Sequence, residues 1–360
     1  MQMDPGYGKT YLGVGLIERV GRRAVVIVPN TYLLRQWVGI LKEAFPRNVI
    51  GCYYGVRKVD GDVVVAVVNS ALTYGGWGRC GLVIYDEVHM YCSAKFKEVF
   101  GVAQAARCLG ITATPSERID RFDPVAHWAL GKVVRADGVE GWDAAAIEFT
   151  ARVVKVEYGG PAEYTEVIES KMGVVSVPLM VNQLVGDPYR NAVVVAYAAR
   201  LCREGRNVFV FSDRREHLHV LAALLRGVDV GVEAPELEGV EELMGGASDR
   251  EIEDAKVRGR VILTTYAYTA VGVSINKMDA LILATPRKSN MRQILGRIFR
   301  LGSDQGIRRD IVDVVDVRVC LKSQYYTRKK EYARLGAEVS THKVGWEGAT
   351  VEGVYVEIRY

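Results

Sequence analysis

The 360-residue sequence has only six cysteines, and no two of them form a C-x-x-C pair. That spacing excludes a zinc ribbon and a dense disulfide scaffold. It fits buried, reduced thiols at Cys52, Cys80, Cys92, Cys108, Cys202 and Cys320. No apolar run reaches the ~20 residues needed to span a bilayer, and no signal-like segment opens the chain. Asn and Gln together number 15, a scarcity shared with proteins of hot habitats, which deplete labile amides. No repeat of 20–50 residues and no low-complexity tract is present. The expectation is a soluble, cytoplasmic protein with no membrane partner.

What is present is a chain able to build a full core, with 49% apolar and 25% charged residues. At roughly 150 residues per domain, the length suggests two domains. Net charge is only +4, but its distribution is uneven. Residues 287–330 hold twelve Lys/Arg against four Asp, and the remainder is net −4. Such a stretch is either a solvated face or a phosphate footprint.

Short β-branched runs alternate with helical stretches. AVVIV at 24–28, VVVAVV at 63–68, LVIY at 82–85 and CLGI at 108–111 predict strands buried on both faces, as a parallel sheet requires. NVFVF at 207–211, RVIL at 260–263 and ALILA at 280–284 predict a second series. A less regular stretch at 116–190 separates them, which places a boundary near residue 150. The domains are then 1–150 and 151–360, the second with a C-terminal extension. IVDVVDV at 311–317 reads as a half-buried or edge strand, 325–337 as a basic helix and 351–360 as a strand.

Three patterns carry chemistry. In MDPGYGKT (residues 3–10), Gly6 and Gly8 let backbone N–H groups turn toward an anion around Tyr7. Lys9 can neutralise β/γ-phosphate charge, and Thr10 can offer its hydroxyl to Mg²⁺ at a helix start. About 75 residues on, LVIY runs into Asp86-Glu87-Val88-His89. An acid at the carboxyl end of a parallel strand points into the ligand crevice. There Asp86 can hold Mg²⁺, usually through water, and Glu87 can orient and deprotonate an attacking water. Alone, Asp-Glu after a strand is an ordinary helix cap. The third pattern is QILGRIFR at 293–300, with Arg297 and Arg300 three apart and neighbours on one helical face, as in arginine-finger chemistry. An isolated R-x-x-R is more often solvated, but Ile294, Leu295, Ile298 and Phe299 argue against full exposure here.

In this order, GYGKT, DEVH, Thr112-Ala113-Thr114 and QILGRIFR resemble motifs I, II, III and VI of superfamily 2 helicases and translocases. VPNTYLLRQW at 28–37 resembles motif Ia, and NSAL at 69–72 the motif after it. FSDR at 211–214 resembles motif IV, and Thr264-Thr265 through Gly272-Val273-Ser274 motif V. The forms of the DEVH and Q-x-x-G-R-x-x-R boxes are most similar to the UvsW/XPB-like DExH branch and its viral relatives. The resemblance implies a P-loop NTPase of α/β class, with two tandem RecA-like domains and ATP and Mg²⁺ as cofactors. It assigns Lys9, Thr10, Asp86 and Glu87 to nucleotide on the first domain, and Gln293, Arg297, Arg300 and Gly272 on the second. It assigns coupling to His89, Thr112 and Thr114. A nucleic-acid strand, DNA rather than RNA, is expected to lie on Arg35, Ser70, Ser212, Arg214 and Thr265, through its phosphates.

The expected activity is ATP-dependent DNA helicase or translocase, from a prokaryote or virus, acting as a monomer or with unknown protein partners. The alternatives are an ATP-gated remodeller that does not unwind, or a truncated inactive paralogue. Three departures from the family pattern stand out. The chain starts two residues before the P-loop segment, so its leading strand is expected to be a stub. Ser274 replaces a common Asp in motif V. Nothing past 340 reads as a nuclease or zinc module. His217 and His219 lie two apart and face different sides of a helix, which favours solvated or capping roles over a metal site; His127 and His342 read the same way. Tyr53, Tyr54, Tyr74 and Trp77 are expected to pack rather than stack on bases.

Overall fold

The computed structural model describes residues 1–3, 8–113, 123–136, 149–170, 173–227, 236–269, 275–300, 303–317, 320–345, 350–351 and 354–355. The chain divides into two compact units, changing over between Ala146 and Ile147.

The first unit contains α1 (Lys9–Val20), β1 (Ala24–Val28), α2 (Thr31–Ala44), β2 (Ile50–Tyr54), β3 (Arg57–Val59) and β4 (Val63–Val67). It continues with α3 (Val68–Ala71), β5 (Leu82–Asp86), α4 (Val99–Val102), β6 (Arg107–Ile111) and α5 (Asp123–Leu130). Its six strands run in the order β3-β2-β4-β1-β5-β6. All pairs are parallel except the β2–β3 hairpin. Central β1 and β5 are buried along their whole length, as continuous Val/Ile runs demand. On one face α2 lays down Leu33, Leu34, Trp37 and Leu41, a helical stripe against Val26, Val28, Val65 and Ile84. On the other, Tyr74, Tyr91 and Val99 close over Val25, Ile27, Val64 and Tyr85.

Strand β6 departs from expectation, because Arg107 and Cys108 are exposed. Beside its end lie Met1, Gln2 and Met3, which bond to Gly110, Thr112, Val134 and Ala136. A cavity of about 350 Å³ lies alongside, lined by Leu12, Leu16, Cys108 and Leu130. Cys320 is exposed too, so four of the six expected thiols are buried.

The second unit contains β7 (Ala151–Gly159), α6 (Val177–Val185), α7 (Pro188–Arg203), β8 (Val208–Ser212), α8 (Arg215–Leu225), β9 (Val240–Leu243) and α9 (Asp249–Arg258). It continues with β10 (Val261–Thr265), α10 (Tyr266–Thr269), β11 (Ala280–Leu283), α11 (Met291–Leu295), β12 (Arg309–Asp316), α12 (Ser323–Arg334), β13 (Glu338–Gly345), β14 (Thr350–Val351) and β15 (Val354–Tyr355). Seven parallel strands run β13-β7-β12-β11-β8-β10-β9, and β14–β15 is a separate hairpin. Helix α7 is buried along most of its length beneath this sheet, capped by the Asp187 carboxylate on the Tyr189 and Arg190 amides.

The expected edge strand at 311–317 is instead interior strand β12, buried at every position between β7 and β11. Its acids suggested solvent, but each meets a guanidinium. Arg152 donates to Asp310 at 2.9 Å, and Arg328 to Asp313 at 2.8 Å with Tyr332 at 2.7 Å. Arg190 grips both oxygens of Asp316 at 2.6 and 3.1 Å. Removing one member of such a pair strands a buried charge.

The histidine expectation also divides. His219 is exposed beside Glu242, whereas His217 is buried in a relay of neutral groups. The Arg214 amide donates to Ser212 Oγ (3.1 Å), which bonds His217 Nδ1 (2.9 Å), while His217 Nε2 bonds Asn191 Oδ1 (2.9 Å) and Asn191 donates to the Val185 carbonyl (3.0 Å). The Nε2–H tautomer satisfies all four contacts. Burial, with Arg190 nearby, pushes the His217 imidazole down to about 3.

Two outcomes follow for stability. Asp316→Ala should cost about 3–5 kcal/mol, read by urea unfolding, and Arg190→Met with Asp316→Leu should recover most of it; equal losses in both would refute the pairing. The depressed His217 value contributes stability that is complete above pH 6.5 and is lost as pH falls toward 3. His217→Gln should therefore flatten the fall of melting temperature between pH 6.5 and 4, followed by circular dichroism. A slope equal to the parent's would remove His217 as its cause.

Candidate nucleotide site

The site grows from the end of β5. Its apolar strand delivers Asp86 buried, at 6% exposure, and the chain then turns sharply. Glu87 takes left-handed angles (φ 51°, ψ 49°), a conformation that costs a non-glycine residue about 1–3 kcal/mol and is kept only where surroundings enforce it. Its amide donates to Asp86 Oδ1 at 3.0 Å. Its carboxylate lies 3.6 Å from Lys9 Nζ and 3.4 Å from His89 Nδ1. His89 Nδ1 is also 2.8 Å from Thr112 Oγ1, at the end of β6.

Lys9 is placed by the other arm. Gly8 caps α1 at φ 76° and ψ 26°, a left-handed turn that suits glycine. The first turn of α1 carries no acid, so the helix dipole there favours an anion. Thr10 follows Lys9, half-buried in that turn.

Two further side chains hold the acid, and the sequence reading gave neither a role. Buried Trp37 donates its Nε1–H to Asp86 Oδ2 at 2.8 Å. The Tyr91 hydroxyl lies 2.7 Å from the Asp86 carbonyl and 3.0 Å from that of Ile27, tying the ends of β5 and β1 together. Trp37 stands 49 positions from Asp86, and no local spacing signals the contact. Burial, with Glu87 beside it, pushes the Asp86 carboxyl up to about 6; Trp37 and Lys9 pull the other way. A divalent cation would favour the ionised form. The donors, one carboxylate and one hydroxyl, are hard oxygens suited to Mg²⁺, which keeps waters and takes substrate phosphates rather than a protein cage. Among the described residues, no group of three or more His, Cys, Asp or Glu could hold a metal by itself.

Lys9, Asp86, Glu87, His89 and Thr112 thus converge. Gly6, Tyr7, Thr114, Gly272 and Ser274 lie outside the described residues. Of the expected nucleic-acid contacts, Arg35 is exposed on α2 and Ser70 is buried in α3. Ser212 is fully buried, its hydroxyl engaged in the His217 relay, and does not present itself to a strand. The Arg214 guanidinium is bonded to Asn182, the Pro178 carbonyl and the Asp213 carbonyl. Thr265 Oγ1 accepts the Tyr268 amide. Tyr53, Tyr74 and Trp77 pack edge-on against one another, as expected.

Motif VI is not one continuous helical face. Helix α11 stops at Leu295 and Arg297 stands in the following turn, buried with Gln293, while Arg300 lies beyond it and is half-buried. The segment past α11 is gripped by buried Arg309, which donates to the carbonyls of Ile298, Asp304 and Ile307 and to Ser303 Oγ at 2.6–2.8 Å.

Residues 1–117 match the family described as type III restriction enzyme, res subunit. Over 361 residues the chain is 30% identical to an African swine fever virus protein (strain Badajoz) named as an ATP-dependent RNA helicase, covering 93% of this chain and 68% of that one. A protein of Escherichia phage T5 named as a helicase is 24% identical over 305 residues, 82% of this chain and 63% of its own. Among solved structures, a fragment of an HsdR subunit of a type I restriction enzyme from Vibrio vulnificus has a TM-score of 0.64 at 16% identity, covering 98% and 65% of the two chains. Saccharomyces cerevisiae Dbp5 bound to RNA and ADP–BeF₃ has a TM-score of 0.62 at 13% identity, covering 96% and 85%. The fold is two tandem RecA-like domains. Among the described residues, no helix is long and apolar enough to cross a membrane. With a viral relative 30% identical across 93% of this chain and 68% of its own, the sequence belongs to the superfamily 2 helicases, nucleic-acid-dependent ATP hydrolases.

Proposed function

We propose that the chain is an ATP-driven motor on DNA, and that the Lys9–Glu87–His89–Thr112 chain beside Asp86 carries its hydrolytic step. The supporting observation is the geometry of Glu87: a strained backbone aims its carboxylate between an ammonium at 3.6 Å and an imidazole at 3.4 Å. Lys9 and the N-terminus of α1 bind the phosphates, and Glu87 takes the proton of the attacking water. Mg²⁺, held by Asp86 and Thr10, would neutralise charge on the β- and γ-phosphate oxygens. His89 links Glu87 to Thr112, so a change at the acid reaches the end of β6. Gln293, Arg297 and Arg300 enter as phosphate-sensing residues on the strength of the motif alone. DNA is favoured by the forms of the DEVH and Q-x-x-G-R-x-x-R boxes. RNA is the second reading, favoured by the name of the African swine fever virus relative.

The test is steady-state ATP hydrolysis with single-stranded DNA, duplex DNA and RNA. Glu87→Gln should lower kcat by about 10²–10⁴, the range for loss of a general base, with nucleotide binding retained. Stimulation by DNA alone supports the proposed track, and stimulation by RNA alone replaces it with the second reading. Hydrolysis equal to that of Glu87→Gln in folded protein would refute the motor.

A further inference from the structure

We propose that Trp37 is a positioning residue for the cation-holding carboxylate: its indole N–H fixes the rotation of Asp86 and so sets the affinity of the site for a divalent cation. The inference rests on the reading of Asp86 given above and adds a residue from a different element. Three observations support it.

First, the indole is 1% exposed, and its Nε1 lies 2.8 Å from Asp86 Oδ2. A buried indole N–H needs an acceptor, and the acceptor here is the acid itself. Second, both carboxylate oxygens are specified, by different parts of the chain. Oδ1 accepts the Glu87 amide at 3.0 Å and Oδ2 accepts Trp37, which fixes the plane of the carboxylate as well as its position. Without the indole bond, one hydrogen bond to the carboxylate remains among the described residues, from the strained residue next door, and Oδ2 loses its fixed direction. Third, space has been kept for this ring. A Cβ at Gly13 of α1 would stand 2.5 Å from Trp37 Cη2, so the helix that presents Lys9 leaves out a side chain where the indole passes. Phosphate-binding helix, α2 and acidic strand therefore meet at one side chain. A purely packing role would need the ring but not its N–H.

The experiment separates those two requirements. Trp37→Phe keeps most of the ring volume and removes the donor. Replacement of Trp37 by 3-benzothienylalanine, which exchanges N–H for sulfur in the same outline, guards against a fold effect of the smaller ring. Mn²⁺ binding to the ADP-loaded chain is measured by the electron paramagnetic resonance signal of free Mn²⁺, alongside ADP binding without metal and the melting temperature. The expected result is a Mn²⁺ affinity weaker by about 10-fold or more in both variants, the usual effect of losing a carboxylate's supporting hydrogen bond. Metal-free ADP binding should stay at its parental value in both variants, and melting temperature should fall less in the benzothienyl protein than in Trp37→Phe. Parental Mn²⁺ affinity in the benzothienyl protein would overturn the proposal and leave Trp37 as packing. Asp86→Asn serves as the control: if it leaves Mn²⁺ binding intact, Asp86 is not the cation-holding group, and the reading beneath the proposal fails with it.

Discussion

Two adjacent carboxylates forced together at the end of a buried strand are the constraint around which the first unit is arranged. Side by side in a low-dielectric setting, Asp86 and Glu87 repel, and burial raises the cost of charging Asp86 further. The surrounding structure offsets this without neutralising it. An indole N–H and a peptide N–H share Asp86, while an ammonium and an imidazole flank Glu87. What remains is a site short of positive charge at the point where strand ends open. A divalent cation placed there would relieve that shortage. The backbone strain at Glu87 belongs to the same arrangement, since a relaxed turn would carry its carboxylate elsewhere.

The second unit handles buried charge differently. In β12, acids recur at every third position of a strand with no exposed face, and a separate element supplies the guanidinium for each: β7 for Asp310, α12 for Asp313 and α7 for Asp316. Such pairs add little net stability compared with apolar packing. They do allow one register, because sliding β12 by a single residue would strand three charges. Arg309 uses the complementary device, a cation surrounded by carbonyl oxygens, to shape the segment after motif VI. The first unit leaves its charge unbalanced at the end of β5, and the second balances it within the sheet.

Much of this was legible in sequence. Continuous apolar runs located β1, β4, β5, β8, β10 and β11, and the glycine-lysine and acidic boxes brought Lys9, Asp86 and Glu87 to one place. What escaped notice did so for physical reasons. β12 read as half-exposed because alternation of acids with valine signals solvent unless the partners are visible, and they lie up to 158 residues away. Strand β7 was missed because its polar positions, Lys155 and Glu157, pair with each other and mask an otherwise apolar run. The motif VI helix stops at Leu295 with Gly296 as its cap, short of the two arginines whose spacing suggests a shared helical face. Ser212 has the residue type expected of a phosphate contact, but His217, five positions on, claims its hydroxyl. Trp37 was quoted as part of a motif without a task, since only the fold reveals its acceptor.

The register of β7 also bears on how the chain is made. Arg152 pairs with Asp310 on one side and with Glu338 on the other, so β7 lacks both neighbours until β12, whose Asp310 lies 158 residues after Arg152, has been made. At typical synthesis speeds that is a wait of roughly 8–32 s, during which β7 has earlier-made elements such as α7 to cover Val156 and Tyr158 but no strand on either edge. The first unit, whose strand partners all lie within its own span, can settle in the meantime. The second unit therefore closes its sheet later than the first, and its strand edges stay open longer during synthesis.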